Sequence, residues 1–128
     1  MKKRIIKTGD APAAIGHYEQ GIGIGSFLFT SGQVALHPRT GEFLGGEIEQ
    51  ETELVLKNIE AILIADGLSL ANVVKTTVYL SDLAFFSRMN TVYESFFKDN
   101  KPARACVQVA ALPKGAKIEM DVIATSGN

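Results

Sequence analysis

The chain has 128 residues, 46% of them hydrophobic, with 13 Lys and Arg against 14 Asp and Glu for a formal net charge of -1. That length and apolar mass suit one domain over 1–128 with a self-sufficient core, and the balanced charge gives no electrostatic case for nucleic acid or an anionic membrane as partner. The single cysteine, Cys106, excludes an internal disulfide and makes the cytoplasm the expected location.

In chain order, Lys2, Lys3, Arg4 and Lys7 come first, either as a nucleic-acid contact or as the solvated end of a first strand, where Lys discourages edge-to-edge pairing. Lys2 to Arg4 imitate the start of a signal peptide and Ala11-Pro12-Ala13 its cleavage site. Only Ile5 and Ile6, however, stand where an apolar segment of about 7–15 residues is needed, so secretion by that route is not expected. No apolar run approaches the roughly 18 residues of a membrane span.

Residues 3–7 and 21–31 read as strands, the second interrupted by Gly21, Gly23 and Gly25 ahead of Phe27-Leu28-Phe29-Thr30. A loop punctuated by Pro38, Gly41, Gly45 and Gly46 follows. Leu56, Ile59, Ile62 and Leu63 then recur at helical spacing between about Glu49 and Asp66, with Glu49, Glu51 and Glu53 suited to the positive end and Gly67 as the stop. Val73 to Leu80 is β-branched and aromatic, hence a strand. Ser81 or Asp82 caps a second helix whose Phe86, Met89, Tyr93, Phe96 and Phe97 form an apolar stripe, read as core rather than as a cofactor contact. Strands 104–110 and 117–125, joined by a turn containing Pro113 and Gly115, close the chain as a hairpin.

Alternation puts Ala105, Val107 and Val109 on one face and Arg104, Cys106 and Gln108 on the other. In the last strand Ile118, Met120, Val122 and Ala124 oppose Lys117, Glu119, Asp121, Ile123 and Thr125. Two helices can cover the apolar face of such a sheet, giving an α+β layer domain. The other face, with polar groups beside Cys106, Ile123, Tyr79 and Phe29, is either half-solvated or a subunit interface with polar pockets, the second being preferred.

Most chemical motifs are missing. A zinc deaminase needs several Cys and His ligands, and one Cys with the distant His17 and His37 does not supply them, so no metal is expected. The glycine series lacks the last glycine of a dinucleotide fingerprint, because Ser26 stands there. No Gly-x-Ser-x-Gly elbow is present, and Cys106 reads as a small buried hydrophobe. What remains is Arg104 and Glu119, expected on neighbouring strands and on the less apolar face. Arg can hold a small carboxylate through two parallel hydrogen bonds and Glu can orient and deprotonate a water; equally, the two can form a cross-strand ion pair with no chemistry.

These residues lie in Lys101-Pro-Ala-Arg-Ala-Cys-Val-Gln-Val-Ala-Ala-Leu-Pro-Lys-Gly-Ala-Lys-Ile-Glu-Met-Asp-Val-Ile-Ala124, which closely resembles the C-terminal signature of the Rid family of YjgF-like reactive intermediate deaminases. Ala11-Pro-Ala-Ala-Ile-Gly-His-Tyr-Glu-Gln20, Phe29-Thr-Ser-Gly-Gln-Val34, Gly45-Gly46 and Met89-Asn-Thr-Val-Tyr93 extend the resemblance, in order, over nearly the whole chain. It implies a chorismate-mutase-like mixed sheet with two helices on one face, assembled as a homotrimer with active sites in clefts between subunits. The implied reaction is cofactor-free hydrolysis of 2-imino acids to 2-oxo acids and ammonia. By the same resemblance Arg104 binds the substrate carboxylate, Glu119 positions water, and Cys106 contributes backbone groups. Tyr18, Ser31, Gly32 and Asn90 then border the substrate.

Departures from the family pattern are His17 and Glu19 beside Tyr18, Ala35 after the Ser-Gly-Gln stretch, and Ala111. They bear on substrate range. Two other readings stand beside the enzyme. One is a non-catalytic trimer that senses a 2-oxo acid, which needs Arg104 but not Glu119; the other is the ribonuclease role of some relatives, which the charge balance and the lack of a basic, aromatic-lined groove disfavour.

Overall fold

Strict alternation of apolar and polar residues from Ile118 to Thr125 builds the centre of the protein: Ile118, Met120, Val122 and Ala124 are buried and the residues between them only partly so. The computed structural model describes residues 2–127. Its strands are β1 (Lys3–Ile6), β2 (Gly21–Ile24), β3 (Phe27–Thr30), β4 (Val73–Leu80), β5 (Ala103–Gln108) and β6 (Ile118–Thr125), and its helices are α1 (Ile48–Ala65) and α2 (Phe86–Phe96). One sheet takes the order β1-β2-β3-β6-β4-β5, antiparallel except where β4 and β5 run parallel. The fold is thus a mixed α+β sheet with both helices on one face, as the resemblance implies.

Helix α1 starts where Gln50 Oε1 accepts the Glu47 N–H at 2.9 Å, and ends at Gly67, whose φ of 74° suits glycine. Its Val55, Leu56, Ile59, Ile62 and Leu63 are fully buried against the sheet. Asp82 caps the turn leading into α2 by accepting the Ala84 N–H at 2.8 Å. One expected acidic residue has a different role: Glu51 is buried, and accepts the Lys117 N–H at 2.9 Å and the Gly46 N–H at 3.3 Å, tying α1 to the start of β6. The N-terminal basic cluster lies partly on edge strand β1, where Arg4 binds Asp66 at 3.0 Å.

Three expectations are corrected. The stretch 21–31 is two strands, β2 and β3, turning at Gly25, whose φ is 56°. The last two strands do not form a hairpin: β4 lies between β5 and β6, because the α2 crossover returns the chain parallel to β4. Consequently the faces of β5 are reversed relative to the expected grouping. Arg104, Cys106 and Gln108 pair in register with Thr76, Val78 and Leu80 on the helix side, while Ala105 and Val107 join Thr77 and Tyr79 on the open side.

Candidate active site

Arg104 and Glu119 therefore lie on opposite faces of the sheet, and the expectation that they share one is overturned. Arg104 stands at the rim of the helix-covered face. Its register partner Thr76 is buried and shares a 2.8 Å hydroxyl hydrogen bond with Tyr93 of α2. The Tyr93 ring, fixed in this way, lies 4.7 Å below the Arg104 guanidinium carbon, and the Phe86 ring lies 5.3 Å from it. Arg104 Nη1 donates to Asn90 Oδ1 at 2.7 Å, and Asn90 Nδ2 donates to Glu94 at 2.8 Å. Cys106 is half-buried on the same face, and burial pushes its thiol up despite the nearby Arg104.

This half-site opens into a cleft of about 660 Å³ lined by Asn90, Tyr93, Glu94, Lys98, Lys101 and Arg104. Arg104 over the two rings, with Lys98 and Lys101 beside Glu94, gives the cleft a net positive lining suited to a small anion. The sequence signal for Tyr93 and Phe86 was the α2 stripe, which was read only as core.

Glu119 occupies the open face. Its register partner is Tyr79, and the Tyr79 hydroxyl donates to Asp121 at 3.1 Å. Beside it the pairing of β3 with β6 stops at Phe29 and Ile123. The chain bows out through Ser31 and Gly32 before Gln33 and Met120 exchange backbone hydrogen bonds at 2.9 and 3.1 Å. The Glu119 carboxyl fills that bow. A Cβ at position 32 would overlap the carboxyl, so the glycine allows this close approach and a side chain there would displace Glu119. Burial first, and the Asp121 charge second, push the Glu119 pKa up; burial also raises Asp121, against the Tyr79 hydrogen bond and Lys75.

Tyr18 joins Glu119 in a cleft of about 330 Å³ together with Gln20, Gly32, Gln33 and Lys114. Its loop is held by the buried Gln20 side chain, which donates to the carbonyls of Thr8, Ala11 and Pro12 and accepts the Thr8 N–H at 2.7 Å. Ser31 also fastens this loop, through its hydroxyl to the Glu19 carbonyl and its N–H to the Gln20 carbonyl. A second cleft, of about 580 Å³, also takes in Tyr18 and is bordered by Lys7, His17 and Glu19. One chain thus gathers Tyr18, Ser31, Gly32 and Glu119 in one place and Asn90, Arg104 and Cys106 in another. Among the described residues no three His, Cys, Asp or Glu side chains converge as metal ligands.

Comparison with known proteins gives a consistent result. The family described as endoribonuclease L-PSP matches residues 8–126. A RutC family protein of Pyrococcus abyssi is 49% identical over 124 residues, covering 97% of this chain and 98% of the relative. A human protein named 2-iminobutanoate/2-iminopropanoate deaminase is 44% identical over 125 residues, covering 98% of this chain and 91% of the relative. The crystal structure of E. coli TdcF with bound serine superposes with a TM-score of 0.91 at 45% identity, over 95% of this chain and 98% of that one.

Proposed function

The chain belongs to the Rid family of YjgF-like proteins, and on that footing we propose that it is a hydrolytic deaminase. It converts 2-imino acids such as 2-iminobutanoate and 2-iminopropanoate, with their enamine tautomers, to 2-oxo acids and ammonia. The supporting observation is the pair of complementary half-sites on opposite faces of one sheet: a guanidinium with its donors preset, and a half-buried carboxyl of raised proton affinity. Neither half is sufficient alone. In a homotrimer, Arg104 of one subunit meets Glu119 and Tyr18 of the next, so each active site is shared.

Arg104, with one nitrogen on Asn90, turns its remaining donors to the substrate carboxylate. Tyr18, Ser31 and Gly32 border the substrate, and Cys106 contributes backbone groups. Glu119 accepts a proton as its water adds to the C=N carbon. The carbinolamine formed from the N-protonated imine takes that proton on nitrogen, its C–N bond breaks, and ammonia leaves as the hydroxyl returns its own proton to Glu119 and the C=O forms. Imines already hydrolyse in water unaided, so holding water and imine together supplies much of the acceleration. The lone cysteine fits a cytoplasmic setting, and among the described residues no helix is long and apolar enough to cross a membrane.

The test is release of 2-oxo acid from freshly generated 2-iminopropanoate and 2-iminobutanoate, corrected for spontaneous hydrolysis, beside calorimetric binding of 2-oxobutanoate. Arg104→Ala loses a charge-assisted contact worth about 1.5–3 kcal/mol, so binding and turnover fall together by roughly ten- to a hundredfold or more. Glu119→Gln keeps binding and loses turnover. Wild-type protein that binds the 2-oxo acid yet adds nothing to the spontaneous rate is a sensor, and the enzyme reading then fails.

A further inference from the structure

Two ionisable groups on the open face have no part in that mechanism, although they border its base. We propose that Asp121 and Tyr79 are positioning residues for Glu119: they hold a second negative charge on the same face, and that charge strengthens Glu119 as the base that takes the proton from water. The inference rests on the hydrolytic reading of the site. Glu119 and Asp121 are two apart on β6, so both carboxyls point to the open side, about 7 Å apart along the strand. Tyr79 stands opposite Glu119 in the β4–β6 register and reaches diagonally to Asp121, donating its hydroxyl at 3.1 Å.

The charged and titratable groups around Glu119 come from four places: Tyr79 on β4, Asp121 on β6, Lys114 in the 113–115 turn, and Tyr18 in the N-terminal loop; Lys75 on β4 pairs with Ile123 and acts on Asp121. Gln33 and Gly32 complete its surroundings without charge. Burial disfavours ionisation of both carboxyls, but Asp121 accepts the Tyr79 hydroxyl and is favoured by the Lys75 charge, whereas among the described residues Glu119 accepts no side-chain hydrogen bond. Asp121 therefore ionises first as pH rises. Glu119, beside a charge already present, releases its proton later and takes one from water more readily. Tyr79 stays a donor, since burial and then Asp121 raise its own pKa.

Neutralising Asp121 must lower the pH at which Glu119 ionises. In Asp121→Asn the acid limb of the kcat/KM profile for imine hydrolysis is expected to move to lower pH. Its plateau should fall by less than the roughly 10²–10⁴-fold lost with the base itself. Asp121→Glu keeps the charge and should leave the limb near its wild-type position. A purely structural role for Asp121 would lower the rate without moving the limb, and that result overturns the proposal.

Carbon-13 titration of the side-chain carboxyls in the wild-type trimer gives a readout independent of activity and of any variant's folding. Coupling makes the Glu119 resonance follow two steps, its own and that of Asp121; a single isolated step sinks the idea. If the two steps appear while the wild type hydrolyses no imine, the charge coupling stands and the proposed reaction falls.

Discussion

The Glu119 carboxyl sits where a charge is disfavoured, and that has a measurable cost in stability. Burial and Asp121 raise its pKa in the folded protein, and unfolding removes both. The folded state therefore binds this proton more tightly, so the contribution of Glu119 to stability falls as pH rises from the ordinary carboxylate range through the raised folded-state value. Glu119→Gln is expected to raise the melting temperature at neutral pH while lowering imine hydrolysis by about 10²–10⁴-fold. In acid, where wild-type Glu119 is also protonated, the gain should vanish. Calorimetric melts at both pH values check this; a gain independent of pH would show that packing rather than charge is responsible. Cys106 gives the opposite expectation. Burial pushes its thiol up, so no thiolate is favoured at neutral pH. Cys106→Ser should keep most of the hydrolytic rate, and a loss as deep as that of Arg104→Ala in the same assay would assign the sulfur a chemical role.

Elements with a strong period were legible in the sequence, and their partners were not. Helix α1 and strands β4 and β6 lie within a residue or two of expectation, because their burial repeats follow their own geometry. The pairing of β5 is not legible, since a short turn after a strand suggests a hairpin, whereas the α2 crossover that carries β5 to the far side of β4 is a tertiary choice. Alternation separated Arg104 from Ala105 correctly but could not say which residue faced the helices. On an edge strand both faces are partly apolar, so hydrophobicity does not decide. The bow at Gly32 and the loop that carries Tyr18 are illegible for another reason, as the bow is shaped around Glu119, far off in the sequence, and the loop has no periodic pattern and is fastened by one side chain at its own end. Gln20 holds that loop through four hydrogen bonds to buried or part-buried backbone groups. Gln20→Ala leaves those groups unpaired, and should cost about 1–3 kcal/mol in urea unfolding. The Thr8 amide should lose protection from hydrogen exchange in the same variant. Lost stability with Thr8 still protected would place the damage elsewhere.

At the scale of the whole molecule, the open face of the sheet is the feature that a single chain leaves unexplained. Register alone sets Ile5, Ile22, Phe29 and Ile123 side by side across four strands, with Glu119, Tyr79 and Val107 two rows away. Ile5 is 61% exposed and Phe29 43%, so this row is an apolar strip of the kind that subunits cover, and Val107, 45% exposed, adds a second apolar point beyond the polar rows. Light scattering at micromolar concentration is expected to return three times the 13.8 kDa chain mass. Assembly by itself would not show that the sites are shared, but mixing two dead variants does. A trimer that contains Arg104→Ala and Glu119→Gln subunits regenerates an intact site wherever a Glu119→Gln subunit supplies its arginine to the glutamate of an Arg104→Ala neighbour. With equal, random mixing each of the two subunits at a site is of the needed type half the time, so about a quarter of wild-type activity should return. The variants are to be unfolded and refolded together, and assayed against each refolded alone. If each active site lay within one chain, the mixture would be as inactive as its components, and the shared site proposed from the two faces of the sheet would be wrong.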